Sequence, residues 1–269
     1  ALFRDQQPTE HWHVSPKIPN PDTYQSLTHS IVAWPSDFFN YLSGLKTTAP
    51  NGFKNHWLAV NTLREQRHKK YVEEVGFGDF KAFHHLLNNL PKGSALHVGN
   101  SSPVRYLQLF NEGRHVPHYC NRGASGIDGS SSTAVGYALG SGKQTVLISG
   151  DISFLYDSNA FFHNHVPANF RAVVLNNGGG NIFRIIPGPA STNKLEDFFE
   201  ARHNAKIKGV AETYNLGYQV VTSEAELLSV LPDFFSPNGR AQVLEVVTDS
   251  IEDPKQLSNY FKFLEHGND

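Results

Sequence analysis

From about residue 77 to its end the chain repeats one unit: a short, continuous apolar run, a loop, and a stretch of helical character. The runs are Ala95–Val98, Val116–Cys120, Thr145–Ser149, Ala172–Leu175, Tyr218–Val221 and Gln242–Val247. Between them lie helix-like stretches near 79–90, 103–111, 130–141, 154–164, 203–215, 223–231 and 253–265. Half-buried strands would alternate apolar and polar residues. Unbroken β-branched runs separated by helices instead fit strands covered on both faces. The expected fold is therefore α/β, a doubly wound parallel sheet with helices on both faces.

The first 50 residues lack this rhythm. They are rich in Pro, His and Trp, with a strand expected at His11–Val14, a proline-punctuated loop over Lys17–Pro21 and a helix from about Asp37 to Leu45. They read as the tail of a preceding α/β domain. A connector over Thr47–Phe53 follows, with Pro50 and Gly52 as breakers. Residues 55–75 read as a charged helix with Trp57, Val60, Leu63 and Arg67 along one side. The expected division is 1–50, a linker and helix over 51–76, and the α/β domain over 77–269.

Composition narrows the function. Lys+Arg 23 against Asp+Glu 25 gives a formal charge of −2, without the basic excess that nucleic acid requires. No apolar run approaches the roughly 20 residues of a membrane span, and no charged-then-apolar leader opens the chain. The single cysteine, Cys120, suits a reducing cytoplasm. Methionine is absent from all 269 residues, which points to part of a longer translated product.

In doubly wound folds ligands sit beyond the carboxyl ends of the strands. The loops there are Gly99–Ser102, Asn121–Gly129, Gly150–Ser153 and Asn176–Asn181. Familiar phosphate motifs are missing. Gly140-Ser-Gly-Lys143 precedes a strand and lacks the other P-loop residues, so it reads as a helix cap and turn. No G-x-G-x-x-G follows the first strand of the domain, and the 14 histidines include no H-E-x-x-H. Gly150-Asp151 and Asn176-Asn177 stand out, because a strand–helix–strand crossover places their loops side by side. A carboxylate, an amide oxygen and a carbonyl of the following glycine turn are the hard oxygen donors that Mg²⁺ prefers. The amides of Ile152 and Ser153 would face a phosphate at a helix start. Arg122, between a strand and a Gly-rich loop, suits a substrate carboxylate. Arg105, opening a helix, is an ordinary exposed arginine or a second such contact.

The pattern G-D-x-S followed some 26 residues later by N-N resembles the metal and diphosphate signature of thiamine-diphosphate enzymes. The strings Asn121-Arg-Gly-Ala-Ser-Gly-Ile-Asp-Gly129, Gly150-Asp-Ile-Ser-Phe-Leu-Tyr-Asp-Ser-Asn159 and Asn176-Asn-Gly-Gly-Gly-Asn-Ile-Phe183 are similar to the C-terminal cofactor domain of the MenD family. That resemblance implies thiamine diphosphate and Mg²⁺, with Mn²⁺ as a substitute, the metal being held by Asp151, Asn177 and the Gly179 carbonyl. It implies Ile127 as the wedge beneath the bent cofactor, with Ser125, Gly150, Ile152, Ser153 and Ile182 around it. Ser101, Arg105 and Arg122 would hold substrate carboxylates beside Ile182 and Phe183, with Ile127 and Arg122 nearest the chemistry. The family decarboxylates 2-oxoglutarate and adds the resulting carbanion to isochorismate in menaquinone biosynthesis. Its N-terminal pyrimidine-binding domain supplies a glutamate, and its cofactor lies across a subunit interface of a homodimer or homotetramer. On this resemblance residues 1–50 are the end of the family's central domain, and the chain is a C-terminal fragment, inactive alone. Ile152 departs from the glycine of the wider signature. Two alternatives stay open: another thiamine-diphosphate decarboxylase or carboligase, and a catalytically silent domain kept for assembly.

Overall fold

The structure, a computed structural model, describes residues 6–17, 22–45, 52–237 and 239–266. It divides into two compact units, Ala1–Ala59 and Val60–Asp269.

In the first unit β1 (Trp12–Ser15) pairs in parallel with β2 (His29–Val32), Trp12 lying opposite His29. Helix α1 (Pro35–Gly44) opens with its proline in the first turn, where a missing N–H costs nothing. The sequence anticipated β1 and α1 to within two residues but not β2, which is only four residues long and mostly exposed. The proline loop over 17–21 and the connector over 47–53 lie mostly outside the described residues.

Helix α2 (Gly52–Glu74) contains the dividing point. In the second unit its packed residues are Arg67, His68, Tyr71 and Val72, of which Val72 is buried. The expected stripe through Trp57 and Leu63 is exposed instead. Arg67 Nη1 donates to the Leu264 and Glu265 carbonyls at 2.7 Å, and Tyr71 donates to the Gln256 carbonyl at 2.6 Å. These polar anchors, which no apolar period reveals, set the face that packs.

The remaining elements alternate as the sequence demands. They are α3 (Asp79–Asn88), β3 (Ala95–Val98), α4 (Ser102–Leu107), β4 (His118–Tyr119), α5 (Ser130–Ser141), β5 (Thr145–Gly150) and α6 (Asp151–Tyr156). Then follow β6 (Phe170–Asn176), α7 (Ile207–Thr213), β7 (Gly217–Val221), α8 (Glu224–Phe235), β8 (Gln242–Val247) and α9 (Glu252–His266). The sheet is parallel throughout, in the order β4-β3-β5-β6-β8-β7. The continuous apolar runs now have a physical account. Successive side chains point to opposite faces, so Val146, Ile148, Val173, Leu175, Leu244 and Val246 join one core with α3, α4, α8 and α9. Leu147, Ala172, Val174 and Val243 join another with α5, α6 and α7. Both faces are buried, and neither face tolerates a polar alternation.

Three expectations shift. Strand β6 starts two residues before the apolar run and takes in Arg171. This fully buried guanidinium donates to the Phe234 and Ser236 carbonyls at the end of α8 and to Ala168, satisfying carbonyls that a helix end leaves unpaired. Strand β4 shrinks to His118–Tyr119 at the sheet edge, beside Pro117, which lacks a donor for the ladder. The helix expected over 154–164 begins at Asp151 and breaks at Asp157, whose carboxylate takes hydrogen bonds from Ser132 N and Oγ at 2.8 and 2.7 Å. A 3₁₀ turn, Ser158–Phe161, continues from there.

From β3 the chain steps outward to β4, then returns to β5 on the other side of β3. The reversal makes a crevice beyond the carboxyl ends of β3 and β5. No helix among the described residues is long and apolar enough to cross a membrane.

Candidate functional site

A cavity of about 220 Å³ lies at that reversal. The ends of three strands shape it: Asn100 and Ser101 after β3, Gly150 and Asp151 after β5, and Asn177 with Gly179 after β6. Ile127, Ile152 and Ser153 complete one side, and Phe183 and Phe199, with ring centroids 5.8 Å apart, form an aromatic wall.

Asp151 is buried where β5 turns into α6. Its Oδ1 accepts the Ile152 amide at 2.7 Å, so that amide is already engaged. Its Oδ2 has no hydrogen-bond partner, although His203 Nε2 lies 3.3 Å away without hydrogen-bond alignment. Burial pushes the carboxyl up to about 6, against the pull of the Ile152 amide and His203. The two asparagines after β6 divide their work. Asn176 donates to Glu245 at 2.5 Å and accepts the Gly178 amide at 3.1 Å, which shapes the turn. Asn177 is buried, its Nδ2 donating to Asp79 Oδ2 at 3.0 Å while Oδ1 lacks a partner.

Two buried oxygens without partners, one on a carboxylate and one on an amide, are donors suited to a hard divalent cation. No group of three or more His, Cys, Asp and Glu that could hold a metal occurs among the described residues. The set at hand contains only one such residue, Asp151, and depends on amide and carbonyl oxygens. Gly179 is required by packing: a Cβ there would come 2.7 Å from the Glu200 carbonyl. The Gly180 amide donates to that same carbonyl at 2.6 Å. The Glu200 side chain is itself fully buried between Arg184 and Arg202, at 2.5 Å from Arg184 Nε and 3.0 Å from Arg202 Nε. This ion cluster ties the 181–202 segment down beside the glycine turn.

On the opposite side Asn100 organises the loop that follows β4. Its Nδ2 donates to the Asn121 and Gly126 carbonyls at 2.8 and 2.6 Å, and its Oδ1 accepts Arg122 Nη1 at 2.9 Å. Ser153 Oγ donates to the Ile127 carbonyl at 2.6 Å, fixing the backbone from which Ile127 reaches the cavity wall. Ser101 and Ser125 adopt positive φ, 73° and 60°, as sharp loop turns do.

The structure thus brings Ser101, Ile127, Gly150, Asp151, Ile152, Ser153, Asn177, Gly179 and Phe183 to one cavity. Four further candidates do not line it. Ile182 is buried outside the cavity lining, Arg105 is exposed on α4, and Arg122 and Ser125 are exposed on the 121–126 loop. Sequence reasoning missed Asp79, Asn100, Phe199, Glu200 and His203. Asn100 had a signal, since it sits in a loop after a strand end. Asp79 had a fainter one, an acidic residue opening an amphipathic helix.

These features define a doubly wound α/β domain with a largely apolar cavity, edged by a few buried polar side chains, at its topological switch. The solved structure of benzoylformate decarboxylase from Polynucleobacter necessarius shares the fold, with a TM-score of 0.55 at 20% identity over 64% of this chain and 33% of that one. No family model matches the chain. Curated relatives do. The chain is 41% identical to the 2-succinyl-5-enolpyruvyl-6-hydroxy-3-cyclohexene-1-carboxylate synthase of Flavobacterium psychrophilum, over 98% of its own length and 48% of that protein's. Identity with the synthase of the same name from Christiangramia forsetii is 38%, and with that from Porphyromonas gingivalis 38%, each again over 98% of this chain. The chain is similar along almost all of its length to these synthases of the MenD family, and it spans about half the length of the curated relatives it matches.

Proposed function

We propose that the chain is the C-terminal, cofactor-binding part of a thiamine-diphosphate-dependent synthase of this family. The observation that carries the reading is that Asp151 and Asn177, whose Oδ2 and Oδ1 are buried without hydrogen-bond partners, line one cavity at the β3–β5 reversal. Asp151, Asn177 and the Gly179 carbonyl would hold Mg²⁺, or Mn²⁺ in its place. Their hard oxygens suit either ion, and diphosphate oxygens and water would complete its shell. Ser125, Gly150, Ile152, Ser153 and Ile182 would surround the cofactor on this reading, with Ile127 and Phe183 beside it. The bound cofactor supplies the carbanion-stabilising chemistry.

The chain's own residues then do the positioning. Ser153 fixes the Ile127 backbone. Asn100 holds Arg122 at the rim, where its guanidinium can meet a carboxylate in bidentate fashion, with Arg105 and Ser101 as further carboxylate contacts. Those groups suit the two anionic substrates of the proposed reaction, 2-oxoglutarate and isochorismate. Residues 1–50 are read as the end of a central domain, 51–76 as linker and helix, and 77–269 as the cofactor domain. A pyrimidine-binding domain elsewhere in the whole protein would supply the glutamate, in a cytoplasmic homodimer or homotetramer. Calorimetry of the whole synthase tests the core of this reading. Asp151→Ala should abolish Mg²⁺-dependent thiamine-diphosphate binding, and undiminished affinity would refute it.

A further inference from the structure

Asparagine presents two ends of nearly equal shape and opposite polarity, an oxygen that accepts and an NH₂ that donates. Only the oxygen can ligate a cation, so a site that uses Asn177 must decide which end faces the cavity. Nothing within the turn makes that decision. The decision lies with α3, 98 residues earlier in the chain.

Asp79, the first residue of α3, is buried and lines the same cavity. Its Oδ2 accepts Asn177 Nδ2 at 3.0 Å and its Oδ1 accepts Thr248 Oγ1 at 2.7 Å. Its backbone amide donates to Asp253 Oδ1 at 3.0 Å. The carboxylate is thus fixed by Thr248 just past β8, and the backbone that carries it by Asp253 on α9. A carboxylate, as an acceptor, selects the NH₂ end of the amide and leaves Oδ1 as the free end. Asn177 Oδ1 is indeed buried and without a partner.

We infer that Asp79 is the positioning residue of the cation site, holding the Asn177 side chain so that its amide oxygen faces the bound ion. The inference rests on the proposed ligation by Asp151 and Asn177. It adds a residue remote in sequence that acts through Asn177 and never touches the ion. Metal sites depend on such outer partners, whose loss typically weakens metal binding by about 10–100-fold.

Mn²⁺ binding to the whole synthase, read by electron paramagnetic resonance at saturating thiamine diphosphate, tests it without reference to turnover. In Asp79→Asn the residue at 79 can donate as well as accept, the amide at 177 loses its bias, and Mn²⁺ affinity should fall about 10–100-fold. The swap Asp79→Asn with Asn177→Asp should restore binding to within about tenfold of wild type, because both ends of the new carboxylate are oxygens. A residue that merely starts a helix predicts no such rescue. Thr248→Val, which keeps shape and frees one side of Asp79, should weaken Mn²⁺ by less than about tenfold. It decides the matter if Asp79→Asn fails to fold, and unchanged Mn²⁺ affinity in it would then overturn the inference. Wild-type affinity in a folded Asp79→Asn, or no recovery in the swap, overturns it outright. Asp151→Ala separates the two levels. If it leaves Mn²⁺ binding intact, the cation reading falls and this inference with it. If it abolishes binding while Asp79→Asn does not, only the role of Asp79 falls.

Discussion

Asn100 joins two loops that meet at the cavity, and replacing it by aspartate tests that role with almost no change of shape. The side chain is buried and makes four hydrogen bonds: two donated by Nδ2 to the Asn121 and Gly126 carbonyls, and two accepted by Oδ1, from Arg122 Nη1 and, at 3.6 Å, from Cys120 Sγ. Asn100→Asp keeps the accepted bonds and turns the two donated ones into contacts between oxygens at 2.8 and 2.6 Å. Each buried group left unsatisfied costs about 1–3 kcal/mol, so the loss is about 2–6 kcal/mol. The new charge pair with exposed Arg122 returns less than about 1 kcal/mol. The net cost at neutral pH is therefore about 1–6 kcal/mol. For a unit of this size that lowers Tm by roughly 2–24 °C, readable by circular dichroism. Protonation would restore one donor, so the deficit should shrink between pH 7 and pH 5. Amide exchange over 121–127 should quicken in parallel. A Tm within about 1 °C of wild type, or a deficit that does not depend on pH, would refute this account of the loop.

Two more outcomes follow from buried geometry. Burial, reinforced by neighbouring Asp79, pushes the Asp253 carboxyl from 3.8 up to about 8; because the folded value is the higher one, its contribution to stability is full below about pH 4 and is lost progressively as pH rises to about 8. Urea titrations of Asp253→Asn should show a flatter stability profile across that window, and an unchanged slope would assign the pH dependence to other groups. Gly179→Ala would press a methyl group against the Glu200 carbonyl at 2.7 Å, destabilising the unit by about 1–3 kcal/mol and weakening Mg²⁺ binding by calorimetry; normal stability would mean that the 181–202 segment moves aside freely.

The sheet was legible in the sequence because burial on both faces leaves a signal that needs no partner information. Every apolar run became a strand, and Ala95–Val98 and Gln242–Val247 match to the residue. What stayed hidden depends on polar groups that are buried by pairing. Arg171 looked like the end of a run because its guanidinium is satisfied by carbonyls of α8, far along the chain. The 181–202 segment carries no period, being a series of short 3₁₀ and π turns held by the Arg184–Glu200–Arg202 cluster. Glu200 reads as an ordinary charge in sequence and is fully buried in fact.

The candidate site divides along the same line. Asp151 and Asn177 could be named as candidates from sequence because each directly follows a strand, where a doubly wound sheet gathers its ligand groups, and Gly179 through the family resemblance. Asp79 and Asn100 could not be assigned roles, since each acts through a side chain on another element. Both act through buried polar contacts: Asn100, through two donated hydrogen bonds, holds the loop that leads to Ile127, and Asp79, through two accepted ones, holds Asn177 and Thr248. Direction, unlike residue type, is a tertiary property, because an amide or a carbonyl can point either way until a buried partner selects one. Motif strings such as Asn176-Asn177 therefore mark where a ligand can be held, while residues outside the motif decide whether its oxygens face that ligand. In this chain Asp79 of α3 holds Asn177, and Asn100 of the β3 loop holds the loop before Ile127, so the lining of the cavity depends on elements outside the β5–β6 pair.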